Sequence, residues 1–245
     1  MDDTPSNTPL DGILYVVYHK SMEMLRPIET ASMAERAYRA LEAAIVRCDL
    51  GPGALLSDRR LSGQLGISRT PIREALQSLE SAGLVSRRGR VGWMVAEFDH
   101  EDTRELFELR RVMEPLGLDR LAETWDTGVV RVLSTFFDDF SEPLTLDRYE
   151  DYLARDHEFH KRIVALTRNY RLIRFYGIVE KQIDRIRHYL APGYKGRMEE
   201  VFAEHRRICD AIANHDLEEA LRALMDHLWA GDRAMANFLR KEEAS

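Results

Sequence analysis

No stretch of this sequence approaches the roughly 20 consecutive apolar residues needed to span a bilayer, so a helical membrane anchor is not expected. Cysteine is scarce. The two present, Cys48 and Cys209, lie far apart in the chain and suggest no disulfide framework, which fits a reducing cytosol. Basic charge is also in deficit: the formal net charge is −7, which argues against a protein that simply coats nucleic acid. Beyond Asp99 there is no Gly-rich strand pattern, and no nucleophile motif stands out. What is left, at 44% hydrophobic and 31% charged residues over 245 positions, is an ordinary globular composition. It has room for one large domain or two modest ones.

The charge is unevenly spread. Ala31 to Glu97 holds 10 Arg against 7 acidic residues, a balance of +3, whereas Phe98 onward holds 23 basic and 30 acidic residues, a balance of −7. The first 30 residues add −3. A mildly basic unit joined to an acidic one suggests that only the first meets DNA. The opening MDDTPSNTPLDG is polar and turn-rich. The GILYVVYHK that follows lacks the basic n-region and small-residue cleavage site of a signal peptide. Residues 1–29 are therefore read as a poorly ordered extension, with an added strand or swapped arm as the alternative. Met22, Met24 and Met33 also leave a later start open.

From about Ser32 to Cys48 a helix is expected, with Tyr38, Leu41, Ile45 and Cys48 as its core stripe and Gly51-Pro52-Gly53 as its stop. A short helix, Asp58 to Leu65, then turns through Gly66 into a second one that closes at Gly83. On the second helix Arg69, Arg73 and Gln77 fall four apart and share a face, while Ile72, Ala75, Leu76 and Leu79 occupy the other. Ser68 stands at the N-cap position and Pro71 in the first turn. Two helices joined by a tight Gly turn, the second carrying arginines near its start, form the pattern of a helix-turn-helix. Guanidinium groups reach guanine O6 and N7 as bidentate donors, and neighbouring hydroxyls and N–H groups grip phosphate. A solvated helical hairpin is the alternative at this stage. Leu84–Ser86 and Val91–Val95 alternate as two short strands around Arg87-Arg88-Gly89-Arg90. A basic hairpin tip directly after such a helix is placed to enter a minor groove; taken alone it would be a solvated turn.

These residues carry a resemblance. Ala37 to Val95, with LGPGALLSDRRLSGQLGISRTPIREALQSLESAGLV followed by RRGRVGWMV, resembles the winged helix-turn-helix of the GntR family of bacterial transcription regulators. The resemblance implies that Arg59, Arg69 and Arg73 contact bases or phosphates and that Ser68 and Thr70 contact the backbone. Arg88 and Gly89 would form the wing tip. One position departs from the family pattern: Arg60 stands where Glu usually completes a Ser-x-x-Glu capping box. The reciprocal cap is lost, and a positive charge faces the positive end of the helix, an effect of about 0.5 kcal/mol; Arg60 is free to add a phosphate contact.

From Asp99 to the end helix follows helix. Approximate spans are Asp102–Thr124, Thr127–Phe140, Leu146–Thr167, Tyr170–Leu190, Lys195–Asn214 and Asp216–Arg240. Leu106, Leu109, Val112, Met113 and Leu116 give a stripe at threes and fours, and Asp216 with Glu219 gives a capping box. Short loops imply antiparallel neighbours, hence a bundle. Asp156 and His160 lie four apart on one helix. His205 and His227 are equidistant from Asp216, the turn between the last two helices, so an antiparallel hairpin sets them at one height. With Asp156 and His160 they could complete a four-ligand set of imidazoles and one carboxylate, suited to Zn²⁺, Ni²⁺, Mn²⁺ or Fe²⁺. An accidental helix pair is the alternative for Asp156 and His160. His19, His100, His157, His188 and His215 need no metal.

This half resembles the FCD ligand-binding domain of the FadR-type branch of the GntR family. The matching stretches are ELRRVMEP near residue 110, DHEFHKRIV, Asn169-x-x-Leu172, EHRRICDAI and ALMDHL. The resemblance implies a divalent metal, Zn²⁺ first, held by Asp156, His160, His205 and His227. It also implies a small carboxylate effector bound beside the metal by Arg110, with Asn169 contributing. Arg110 as a surface residue or structural ion pair stays open. The resulting expectation is a mainly α protein: an extension at 1–29, a winged helix-turn-helix at 30–97 and an all-α antiparallel bundle at 98–245. Its function would be a cytoplasmic, homodimeric regulator, more often a repressor in this family, reading a near-palindromic operator in double-stranded DNA. Two rivals remain. One is a metal-dependent hydrolase in a helical bundle, for which Glu158 or Glu204 would have to serve as general base. The other is a sensor of the metal itself.

Overall fold

The computed structural model of the chain describes residues 32–89, 92–142, 144, 148–194 and 197–243; the N-terminal extension lies outside them. Helix α1 (Met33–Val46) starts at Ser32, whose hydroxyl accepts from the Glu35 N–H at 3.1 Å. It buries Ala37, Leu41 and Ile45, while Tyr38 and Cys48 are only half-buried. Strand β1 (Leu55–Leu56) follows, then α2 (Asp58–Leu65) and α3 (Arg69–Ser81). The turn between the two helices rests on Gly66 at φ 66°, a left-handed conformation that glycine adopts without steric strain. Ile72, Ala75, Leu76 and Leu79 of α3 all face inward, as their spacing predicts. Against them pack Leu41, Ile45, Leu61, Trp93 and Val95, a core separate from that of the second half.

Strands β2 (Val85–Arg88) and β3 (Gly92–Val95) pair antiparallel, and β1 adds to the far side of β3. Sequence reading missed β1, because two residues are too few to carry a periodic signal. It also placed Arg87 and Arg88 in the turn; both belong to β2, with Arg87 opposite Trp93 and Arg88 opposite Gly92. Arg90 and Val91 lie outside the described residues.

The second half contains α4 (His100–Met113), α5 (Pro115–Ala122), α6 (Thr127–Ser134), α7 (Tyr149–Ala165), α8 (Tyr170–Tyr194), α9 (Met198–Ala213) and α10 (Leu217–Glu243). A capping box between Asp99 and Asp102 starts α4. The single helix expected over Asp102–Thr124 divides at Glu114–Pro115, where proline supplies no N–H. The helix expected to reach Phe140 stops at Ser134. The stripe expected to be core is only partly so. Thr103, Leu106, Phe107 and Arg110 face inward, while Leu109, Val112 and Leu116 are exposed at 43%, 68% and 43%.

Helix α8 joins the two halves. Its Lys181 Nζ lies 2.5 Å from a Glu42 carboxylate oxygen, Gln182 Nε2 donates to the Ala82 carbonyl at 3.2 Å, and an Arg185 guanidinium N–H donates to the Ala96 carbonyl at 2.9 Å. Both cysteines are free. No helix among the described residues is long and apolar enough to cross a membrane.

At Gly117, α5 meets α7 so closely that an added Cβ would lie 1.9 Å from the Ile163 carbonyl oxygen. Gly117→Ala is therefore expected to cost about 2 kcal/mol through forced backbone shifts. Gly63→Ala on α2 would meet nothing within 4 Å and should stabilise by about 0.5 kcal/mol. Urea midpoints of the two variants, moving in opposite directions, check this.

Candidate nucleic-acid interface and metal centre

The outward surface of the N-terminal unit is built by α2, α3 and the β2–β3 hairpin. Arg59, Ser68, Arg69, Thr70, Arg73, Arg88 and Gly89 are all exposed. The burial of one side of α3 leaves Arg69 and Arg73 on the other. Arg73 Nε donates to Asp58 at 2.7 Å with its side chain still 63% exposed, so the guanidinium is held across the helix-turn-helix without being consumed. The same hydrogen bond holds the Asp58 carboxyl below its usual range. Ser68 precedes α3 but its hydroxyl makes no capping bond. Gly89 turns the hairpin at φ 47°, and Arg87 lies over the Trp93 ring at 5.4 Å.

In the second half, Asp156 and His160 from α7, His205 from α9 and His227 from α10 meet in one buried cluster. Their ligating atoms lie within 4.8 Å of one another. His205 and His227, equidistant from the α9–α10 turn, have ring centroids 4.4 Å apart. The His160 and His205 Nε2 atoms are separated by 3.2 Å, and His205 Nε2 stands 3.2 Å from Asp156 Oδ1. Each imidazole is oriented through its other nitrogen. His160 Nδ1 lies 2.7 Å from Glu114, His227 Nδ1 2.8 Å from Glu204, and His205 Nδ1 2.7 Å from the Tyr152 hydroxyl. Ionised carboxylates only accept, so the Nδ1 atoms of His160 and His227 carry the protons and their Nε2 atoms keep lone pairs.

The electrostatics agree. Burial, with neighbouring positive charge, holds His160 well below the usual imidazole range. Burial and the adjacent imidazole bring His205 to about 3, and burial likewise brings His227 to about 3. Burial would raise Asp156; neighbouring positive charge, first that of the Arg187 guanidinium, overrides it and holds the carboxyl far below its usual range. Three neutral imidazoles and one ionised carboxylate, at separations near those imposed by metal–ligand bonds of about 2.0–2.2 Å, fit a divalent cation. Asp156, His160, His205 and His227 are the residues that would hold it.

Beside this cluster is a cavity of about 20 Å³, lined by Arg110, Tyr152, Asp156, Arg187 and His227 among others; that space holds about one water. Arg110 is fully buried. Its Nε donates to Glu114 at 2.5 Å, while its two terminal nitrogens have no hydrogen-bond partner among the described residues. Arg110 thus forms a structural ion pair and also presents unused donors. Asn169 is elsewhere. It is exposed and its side-chain oxygen accepts from the Arg171 and Leu172 N–H groups at 3.1 and 3.3 Å, capping α8. Neither proposed general base is available: Glu158 pairs with Arg162 on the surface, and Glu204 is occupied by His227 and Arg197.

Sequence reading missed Glu114, Tyr152 and Arg187. Glu114, four residues after Arg110, carried a legible ion-pair spacing. Arg187 carried none, because its pairing with Asp156 joins two helices.

An outward face of arginines on a winged helix, fused to a helical bundle, is the arrangement of a DNA-binding regulator. Sequence comparison agrees. Residues 33–95 match the profile of the gntR family of bacterial regulatory proteins, and residues 105–230 match the FCD domain. The chain belongs to the GntR family and carries its FCD domain. It is similar to an uncharacterised HTH-type transcriptional regulator in an unstable DNA locus of Streptomyces ambofaciens, 30% identical over 79% of this chain and 80% of that protein. It is also similar to the gluconate operon transcriptional repressor of Bacillus licheniformis, 24% identical over 81% of this chain and 80% of that protein. Among solved structures, a putative GntR transcriptional regulator from Rhodococcus sp. RHA1 superposes with a TM-score of 0.71 at 25% identity, covering 84% of this chain and 99% of that one. These relatives are transcription regulators, and this chain is a DNA-binding regulator rather than an enzyme.

The buried imidazoles give the metal-free protein a pH dependence of definite sign. Above about pH 6.5 they are neutral in both folded and unfolded chains; below it the unfolded chain takes up protons that the folded one refuses. Stability should therefore fall as the pH drops from about 6.5 towards 3. Urea denaturation between pH 7 and 5 checks this, and His205→Ala should flatten the slope. Equal slopes would refute the assignment.

Proposed function

We propose that this protein is a cytoplasmic, homodimeric repressor, divided near residue 97 into a DNA-reading unit and an effector-binding unit. Its two α3 helices enter successive major grooves of a near-palindromic operator. Arg59, Arg69 and Arg73 contact bases or phosphates, Ser68 and Thr70 contact the backbone, and Arg88 and Gly89 reach the adjacent groove. Dimerisation is supported by the exposed apolar stripe of Leu109, Val112 and Leu116, a face that a second copy would cover. Repression is supported by relatives named as repressors, including RspR of Escherichia coli at 24% identity over 81% of this chain and 87% of that protein.

The signal is a small carboxylate bound next to a divalent cation, with Zn²⁺ the first candidate. The observation that carries this reading is Arg110: a fully buried guanidinium whose terminal donors are unused, lining the cavity shared with Asp156 and His227. A carboxylate there would receive a bidentate clamp from the arginine and charge from the cation. Because the cavity has room for about one water, an acid enters only as the walls move. Binding and conformational change are then coupled, with ordinary coupling of about 1–3 kcal/mol. The same tightness favours a second reading, in which the cation alone is the signal.

Arg69→Ala and Arg73→Ala are expected to weaken operator binding by about 10- to 100-fold, on the scale of 1–3 kcal/mol for a lost base contact, with unchanged thermal unfolding. Mobility shifts at fixed salt measure this; wild-type affinity in both variants would refute the recognition-helix assignment. For the effector, melting temperature and operator affinity are followed across a panel of small mono- and dicarboxylates, with and without Zn²⁺. A metal-dependent acid response lost in Arg110→Met supports the carboxylate reading. A response to Zn²⁺ alone, untouched by any acid, supports the cation reading.

A further inference from the structure

A second cluster of ligating side chains lies outside the four-residue centre. His157 follows Asp156 in sequence, so its side chain leaves α7 at a different angle. It meets Glu180 and Asp184, which lie four apart on one face of α8. His157 Nδ1 is 2.5 Å from an Asp184 carboxylate oxygen and 3.9 Å from one of Glu180, and the three donors lie within 4.8 Å of one another. Glu180 is 1% exposed, yet neither of its carboxylate oxygens has a hydrogen-bond partner among the described residues. A buried acid without a hydrogen-bond partner is unfavourable unless it takes a proton or gains a cation.

We propose that His157, Glu180 and Asp184 form a second divalent-cation site, separate from the imidazole centre. One imidazole and two carboxylates neutralise a doubly charged ion, and they form a harder donor set than three imidazoles with one carboxylate. Such a set suits Mn²⁺ or Fe²⁺ as well as Zn²⁺. Separations of 2.5 and 3.9 Å bracket the roughly 3 Å between adjacent donors on an ion bound at about 2.0–2.2 Å, so side-chain shifts on the order of 1 Å complete the site. Access differs between the two centres. The His157 and Asp184 side chains are 26% and 19% exposed, whereas those of His160 and His205 are fully buried. The second site opens to solvent and leaves coordination positions for water.

Its place on α8 gives the site a consequence. Glu180 and Asp184 alternate with Lys181, Gln182 and Arg185, the side chains that hold the DNA-reading unit. An ion at the second site ties α8 to α7 along that stretch. Arg187 lies between the centres, paired with Asp156 and 3.5 Å from Asp184. A cation on Asp184 displaces this guanidinium towards Asp156, so the occupancy of one centre acts on the other.

The test uses the full-length protein, stripped with chelator and titrated separately with Mn²⁺ and Zn²⁺, with bound ions counted by native mass spectrometry. Wild type is expected to bind two Zn²⁺ per chain, and Glu180→Gln and His157→Gln one each. His205→Ala, which disables the imidazole centre, should still bind one Mn²⁺, and that binding should disappear in His205→Ala/Glu180→Gln. Glu180→Gln keeps the shape of a protonated acid, and His157 is partly exposed, so at least one of the two variants folds; the melting curve of the metal-free form verifies it. A single Zn²⁺ per wild-type chain that persists in Glu180→Gln and His157→Gln overturns the proposal. So do two equivalents that survive both Glu180→Gln and His157→Gln. A single equivalent that survives His205→Ala but is lost in Glu180→Gln would sink the imidazole centre and leave this one standing.

Discussion

The ion pair between Arg187 and Asp156 is the interaction on which the bundle's interior depends. A carboxylate removed from water is strongly unfavourable unless a counter-charge and hydrogen bonds replace the solvent. Arg187 of α8 supplies that counter-charge, and this keeps Asp156 ionised among three imidazoles that stay neutral. Five helices contribute a buried polar residue to this network: α4 through Arg110 and Glu114, α7 through Asp156 and His160, α8 through Arg187, α9 through His205 and α10 through His227. Removal of any one member leaves a partner with unmet charge or hydrogen bonds in a medium of low polarity. The network therefore fixes how the helices are arranged while leaving donors free for ligands.

Glu114 shows how closely the parts are shared. One carboxylate accepts from Arg110, from the Tyr176 hydroxyl at 2.9 Å and from His160. It fixes the tautomer of a candidate metal ligand and the position of a candidate effector clamp together. Any ligand that draws Arg110 forward must adjust Glu114, and through it His160. Helix α8 extends this coupling outward, since its inner face carries Arg187 and its outer side chains hold α1 and the wing. A ligand shifts the DNA-reading unit only to the extent that it interacts differently with two arrangements of this helix.

Much of the architecture was legible. Ile72, Ala75, Leu76 and Leu79 opposite Arg69 and Arg73 reveal a helix with one buried side, because a helix repeats its faces at fixed intervals. His205 and His227, symmetric about Asp216, reveal a shared height, because an antiparallel hairpin pairs equidistant residues. Where local pattern and tertiary need diverge, the reading failed. Leu109, Val112 and Leu116 have core spacing yet face outward, and the inward side of α4 carries Arg110, a residue that composition alone would place in solvent. The Asn169 side-chain oxygen accepts from the Arg171 and Leu172 N–H groups at the start of α8. The α8 residues beside His157 are distant from it in sequence.

By itself, the order of residues determined which segments form helices, which side of α3 is charged, and that Asp156 shares a helix face with His160 and His205 a height with His227. These follow from spacing along a single helix or a single hairpin. The pairing of Arg187 with Asp156, the unused donors of Arg110, the burial of Glu180 without a hydrogen bond and the use of α8 as a bridge were decided only by the tertiary structure. Each depends on the relative placement of helices from different parts of the chain. That placement comes from packing and desolvation of the whole bundle, which no local spacing encodes.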